Sequence, residues 1–287
     1  MPGGTAVAGA GRVAAVHPIE RLRYLARSSG ADPRVMVRET AAALRGLGID
    51  PAGLVVACRR IVERHPTSGP LWWLCAHMLT AADPYATARR LADEIDADLT
   101  PDVLIDSLPA DATVCVVGWP DLAGEAILRR GDIRVLAIDA DDLGSSFVRR
   151  LERADVEAEV VEPGGAAAAV LAADVLLVEA LAASPGEMVA VRGSRAAASV
   201  AYCSEVPVWA VVGVGRCLPE AGFLSLVQRI ADVRVPWQAE ADVLPLALFS
   251  HVATSVSYTH LRAHETVLDL VCRLLLEKKN QLIHTTH

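Results

Sequence analysis

The chain has 287 residues, enough for one large domain or two smaller ones, and 53% of them are hydrophobic, ample for a buried core. A formal net charge of -8 without any basic block argues against direct nucleic-acid binding, because neutralising phosphates requires clustered Lys and Arg. No apolar run approaches membrane-spanning length and no charged n-region precedes an apolar stretch, so the expectation is a cytoplasmic protein without a membrane segment.

Residues 1–17 are rich in Gly and Ala and are expected to be a flexible N-terminus. They contain Gly9-Ala10-Gly11-Arg12-Val13-Ala14, which fits a dinucleotide-loop pattern, but no strand precedes it to aim its amides at a pyrophosphate. From residue 18 to 108 the periodicity is helical, with helices expected near 18–29, 33–47, 51–64, 69–82 and 84–96 and a final turn near 101–107. Asp32-Pro33, Asp50-Pro51 and Asp83-Pro84 each place a capping carboxylate before a proline at the first helical position. This segment reads as a helical bundle.

After Pro109 the pattern changes to short β-rich runs at Thr113–Val117, Arg134–Ile138, Ala158–Val161, Val175–Val178 and Val208–Val212. Helical stretches near 121–130, 143–154, 165–172, 193–204 and 219–231 alternate with them. Near-continuous apolar strands separated by helices imply a Rossmann-like parallel sheet with helices on both faces, so the fold class is α/β, with an α/β domain over residues 109–255. Ligands in such sheets bind beyond the carboxyl ends of the strands, which directs attention to residues 118–121, 139–143, 179–186 and 213–216.

The last 32 residues break with this composition. Lys278 and Lys279 are the only lysines and Asn280 the only asparagine, whereas residues 1–255 contain 23 arginines and neither of those residue types. Reverse translation of VSYTHLRAHE and DLVCRLLLE gives strings that look like parts of a transposon-type sequencing adapter. Residues 256–287 are therefore read as a non-native tail whose side chains carry no function. Val267, Leu268, Val271, Leu274 and Leu275 recur at helical spacing, so the tail is expected to be a helix, loosely docked or detached. Of the remaining cysteines, Cys58, Cys75, Cys115, Cys203 and Cys217 show no CxxC spacing and read as buried free thiols.

A helical bundle leading into this sheet resembles the family of the alpha, beta and delta subunits of eukaryotic initiation factor 2B. The methylthioribose-1-phosphate and ribose-1,5-bisphosphate isomerases belong to the same family. The resemblance covers roughly residues 33–253 and rests on Arg64-His65-Pro66-Thr67-Ser68-Gly69-Pro70, on the helix leading into Leu108-Pro109, and on Asp174 to Pro219. It implies, for isomerase members, a Cys after the first strand and an Asp after the fourth acting as an acid/base pair. Here the first position falls on Gly118 or Trp119, and the second on Ala180 or Leu181 with Glu179 beside it. The family's Asn-Lys becomes Ala190-Val191, and its Glu-x-Arg-Pro becomes Asp139-Ala140-Asp141-Asp142.

These departures imply an initiation-factor-2B-like binding or regulatory protein without catalysis, recognising a phosphorylated sugar or nucleotide weakly or not at all. The other reading is a divergent aldose-ketose isomerase acting on a pentose-1-phosphate, with Glu179, Asp121 or Asp139 as substitute acid/base groups. Ligand contacts are expected from Arg64, Thr67, Ser68 and Gly69, from Gly118 and Trp119, and from Arg192, Gly193 and Ser194. Both Arg192-Gly193-Ser194 and Thr67-Ser68-Gly69 open helices, where free amides either bind an anion or are merely capped. The acidic run at Asp139, Asp141 and Asp142 reads as a helix cap, so no metal and no cofactor is expected. The resemblance implies a homodimer or hetero-oligomer.

Overall fold

The computed structural model describes residues 32–47, 50–231, 235–256 and 258–260. Five helices come first: α1 (Pro33–Leu47), α2 (Pro51–Arg64), α3 (Gly69–Thr80), α4 (Pro84–Asp96) and α5 (Thr100–Ser107). The Asp-Pro pairs start helices as their chemistry requires. The Asp50 carboxylate accepts from the Gly53 amide at 2.7 Å, and Asp83 accepts from the amides of Tyr85 and Ala86 at 3.1 and 2.9 Å. The helix expected near 18–29 lies outside the described residues.

The chain then alternates: β1 (Thr113–Val117), α6 (Asp121–Arg130), β2 (Arg134–Ile138), α7 (Leu143–Glu152), β3 (Ala158–Val161), α8 (Ala166–Leu171) and β4 (Val175–Glu179). After two short strands, β5 (Ala182–Ala183) and β6 (Glu187–Val191), come α9 (Ser194–Cys203), β7 (Val208–Val211) and α10 (Glu220–Ala231). Three strands close the described chain: β8 (Ala241–Pro245), β9 (His251–Ala253) and β10 (Tyr258–His260). The main sheet has the order β10-β9-β7-β4-β1-β2-β3, parallel throughout except for β10. Val114 pairs with Val135 of β2 on one side and Val175 of β4 on the other.

Both faces of this sheet are buried, and side-chain alternation assigns them. Val114, Val116, Val135 and Leu177 pack with Leu104, Ile127, Phe147 and Leu151 of α5, α6 and α7. Cys115, Val117, Leu136 and Leu176 pack with Val170, Ala197 and Ala201 of α8 and α9. At the edge strand β3, Arg134 pairs with Glu157 at 3.0 Å and Glu159 at 3.6 Å, charges that discourage edge-to-edge pairing.

The second sheet, β5-β6-β8, is antiparallel and was not foreseen from the sequence. Its strands are two to five residues long, and β8 lies 50 residues after β6, so no local pattern announces the pairing. One of its faces, with Met188 and Leu244, joins the core of the main sheet. The other, with Ala182, Val189 and Ala241, joins the core of helices α1 to α4, to which Phe223, Leu226 and Ile230 of α10 also belong. This small sheet is what welds the helical bundle to the main sheet.

The expected helical tail is corrected at its start. Tyr258–His260 is a strand, antiparallel to β9, because the outer edge of β9 offers unpaired backbone groups and Tyr and Thr favour extended structure. Residues beyond 260 lie outside the described part.

Gly69, the first residue of α3, shows how closely bundle and sheet approach. Its amide donates to the Leu181 carbonyl oxygen at 3.0 Å, and a Cβ there would overlap that oxygen. Gly69→Ala is therefore expected to destabilise the fold by about 2–3 kcal/mol, read as a shift in the urea midpoint with an unchanged slope.

Candidate functional site

The strand order reverses direction at β1: the chain runs outward through β2 and β3, then returns to place β4 and β7 on the other side. The crevice outside the carboxyl ends of β1 and β4 is thus the expected ligand position of this topology. Asp121, Leu122, Asp98, Val214 and Arg216 line it, and Asp32, Pro33, Arg34 and Pro70 of the bundle close it from the side. The space left between them holds little more than one water molecule.

A buried ion pair fills the rest. The Arg216 guanidinium lies 2.7 Å from Glu179 Oε1, with side chains only 6% and 8% exposed. Arg216 also donates to the Ala180 carbonyl oxygen. The other carboxylate oxygen, Glu179 Oε2, accepts from the amides of Leu122 at 2.9 Å and Ala123 at 3.1 Å, the free donors at the start of α6. Glu179 therefore neutralises a guanidinium and a helix dipole at once.

The loop carrying Arg216 is shaped by two glycines. A Cβ on Gly213 would overlap both Leu122 and the Asp98 carboxylate. Gly215 adopts φ +78° and lies against the Trp73 ring of α3. Asp98 holds this loop to α5: one oxygen accepts from the Thr100 amide at 2.9 Å and hydroxyl at 2.6 Å, the other from the Val214 amide at 2.9 Å.

Asp121, the first residue of α6, is the anomalous acid of the crevice. Burial, then the nearby Glu179 charge, push its carboxyl up to about 7, against the pull of Arg216. Its neighbour Arg34 is held by an ion pair to Glu125 of α6.

Two further helix starts along the same edge are also occupied by carboxylates. Asp139, after β2, accepts at 2.9 Å from the Gly144 amide and at 2.5 Å from the Ser145 hydroxyl, capping α7. Asp242 of β8 accepts from the amides of Gly193 and Arg195, each at 2.9 Å, capping α9. Ser194 is fully buried there, and Arg192 reaches across to pair with Asp141. Asp141 and Asp142 both take left-handed backbone, which Asp tolerates.

The structure thus brings Asp121 and Glu179 together and places Asp139 apart from them as a cap. Gly118 has φ +66° and gives its amide to Ile138, while Trp119 leans on Phe147 with the Arg150 guanidinium 5.9 Å from its ring. Arg64 is exposed at the end of α2, and Thr67 and Ser68 are half-buried in the turn before α3. Arg216 lies in the stretch 213–216 that the strand ends pointed to, though it was not named as a site residue; Asp98 and Asp242 were not singled out from the sequence at all. A lone cation in VWAVVGVGRCL was the available signal, since a charge that follows a buried strand so closely needs a partner.

No family model matches the sequence, and no curated protein matches it either. Solved structures do match in fold. Translation initiation factor eIF-2B of Pyrococcus horikoshii OT3 superposes with a TM-score of 0.70 at 14% identity, over 86% of this chain and 98% of that one. The delta subunit of eIF2B from Chaetomium thermophilum gives 0.66 at 15% identity, over 85% and 98%. A chain of the tetrameric eIF2B beta2-delta2 complex from the same organism gives 0.65 at 14%, over 84% and 90%. The likeness establishes the fold: this chain has the architecture of the initiation factor 2B alpha, beta and delta subunits.

Two measurements test the electrostatics of the crevice. Glu179→Ala strands Arg216 in the interior and is expected to cost about 3–5 kcal/mol in urea unfolding, whereas Glu179→Leu combined with Arg216→Met costs far less. Asp121 is protonated more readily in the native than in the unfolded chain, so it lowers stability progressively as pH rises from about 4 to about 7. Asp121→Asn is expected to stabilise the protein by roughly 1–3 kcal/mol at pH 8, with the difference vanishing near pH 4.

Proposed function

We propose that this protein is a binding or regulatory member of the initiation-factor-2B architecture that does not isomerise sugars. One observation carries the reading: the helix starts of α6, α7 and α9 along the ligand edge are each filled by an internal carboxylate, Glu179, Asp139 and Asp242. A helix start binds phosphate through free amides and its positive dipole end. A phosphorylated sugar or nucleotide must here displace a carboxylate that already accepts at least two hydrogen bonds, so its recognition is weak.

Aldose-ketose isomerisation needs two groups facing one sugar to move a proton between neighbouring carbons. At the family's two catalytic positions stand Gly118 or Trp119 and Ala180 or Leu181, none of which transfers protons. Glu179, the nearest carboxylate, is held by Arg216 and two amides. The small space between Asp121, Arg216 and the bundle supports the same reading. The function then rests on surfaces, and the tetrameric beta2-delta2 assembly of similar chains supports self-association or pairing with related subunits. Sedimentation and co-purification of the full-length protein test this; a lone monomer with no partner would refute it.

A second reading is favoured by Asp121 alone, since a carboxyl near 7 is suited to general acid/base work at neutral pH. A turnover assay on ribose-1-phosphate and related pentose-1-phosphates separates the two. No turnover is expected. Turnover that Asp121→Asn abolishes would establish a divergent isomerase instead.

A further inference from the structure

Cys58 on α2 and Cys75 on α3 sit on different helices and meet inside the helical core, 1% and 4% exposed. Cys75 Sγ lies 3.9 Å from the Cys58 carbonyl oxygen, and the two thiols also interact with each other. Both cysteines are free in this structure. The helices that carry them form a hairpin closed by the short turn at residues 65–68. We propose that Cys58 and Cys75 are a peroxide-responsive dithiol that forms a reversible disulfide stapling α2 to α3.

The pair is unequal in the way such chemistry requires. The neighbouring Cys75 side chain lowers the Cys58 thiol from its usual range, while the proximity of Cys58 together with burial pushes Cys75 well above it. In this scheme Cys58 is the attacking group and Cys75, whose Sγ already lies against the Cys58 backbone, the resolving one. The Cys58 thiolate attacks hydrogen peroxide, breaking the O–O bond to give a sulfenic acid and hydroxide. The Cys75 sulfur then attacks the Cys58 sulfur, forming the S–S bond; its thiol proton leaves with the displaced hydroxyl as water. Two electrons pass from the two thiols to the peroxide. An oxidant of about the size of water suits a pair that only local opening exposes.

The staple acts on the support of the crevice. Gly69 of α3 docks on Leu181, and Trp73 of α3 packs on Gly215, next to Arg216. Oxidation therefore fixes the hairpin that holds the loop between Gly213 and Arg216. It also restrains the unfolded chain by closing a loop of about 17 residues.

The test treats the folded full-length protein with hydrogen peroxide, blocks remaining thiols with iodoacetamide, unfolds it, and maps tryptic peptides by mass. The expected product links peptide 46–59 to peptide 65–89 with the loss of two hydrogens and reverts with dithiothreitol. It is accompanied by a rise in Tm of roughly 5–10 °C. Cys58→Ser and Cys75→Ser each remove the linked peptide. Should either variant fail to fold, the wild-type map alone decides. Recovery of both cysteines as unlinked thiols, or overoxidation of Cys58 without linkage to Cys75, overturns the proposal.

Discussion

The buried pair between Arg216 and Glu179 is the interaction on which the rest of the crevice depends. Desolvating two opposite charges is costly, and attraction offsets that cost only when every remaining donor and acceptor is satisfied. The surroundings supply partners on both sides: the α6 amides complete Glu179, and the Ala180 carbonyl takes a further guanidinium donor. Because Arg216 must reach the end of β4, its loop must pass tightly beneath Asp98 and Trp73, which explains both Gly213 and Gly215. The backbone of that loop in turn pairs with β5: Ala183 donates to the Arg216 carbonyl and accepts from the Leu218 amide. One charge pair thereby ties β4, β5, α6 and the loop after β7 together.

The same principle recurs along the whole carboxyl edge. Parallel sheets aim helix starts at one edge, and each start brings unsatisfied amides and a partial positive charge. In a phosphate-binding protein that potential is left for the ligand. Here Glu179, Asp139 and Asp242 use it internally, and Arg192 is drawn to Asp141 instead of to an anion. Asp121 is the residue left over. Its carboxyl faces Glu179 in a space that no longer has a spare cation, so neutral form and charged form balance near neutral pH.

Much of this was legible in the sequence for local reasons. Helical periodicity and Asp-Pro caps are short-range signals, and the strands at Thr113, Arg134 and Val175 are short-range as well. The α/β class followed from their alternation, because strands buried on both faces cannot afford polar residues. Glu179 and Asp121 were found by their place at strand ends, and Gly118 by the same rule. The start of the tail illustrates the opposite case: a helix was expected there, but an open sheet edge recruited Tyr258–His260 as a strand, while the residues whose spacing is helical lie outside the described part.

Sequence alone thus determined the fold class and pointed to the edge of the sheet where ligands of this topology bind. Tertiary structure decided which charges meet. Asp242 caps a helix 47 to 49 residues earlier in the chain, Asp98 holds an amide 116 residues away, and Arg216 answers Glu179 across two strands. Cys58 and Cys75 likewise meet only because two helices fold back on each other. Burial makes such pairings obligatory, since an unpaired charge or amide in the interior costs several kcal/mol. The identity of each partner, however, is set by the path of the chain through space, and no periodicity encodes that.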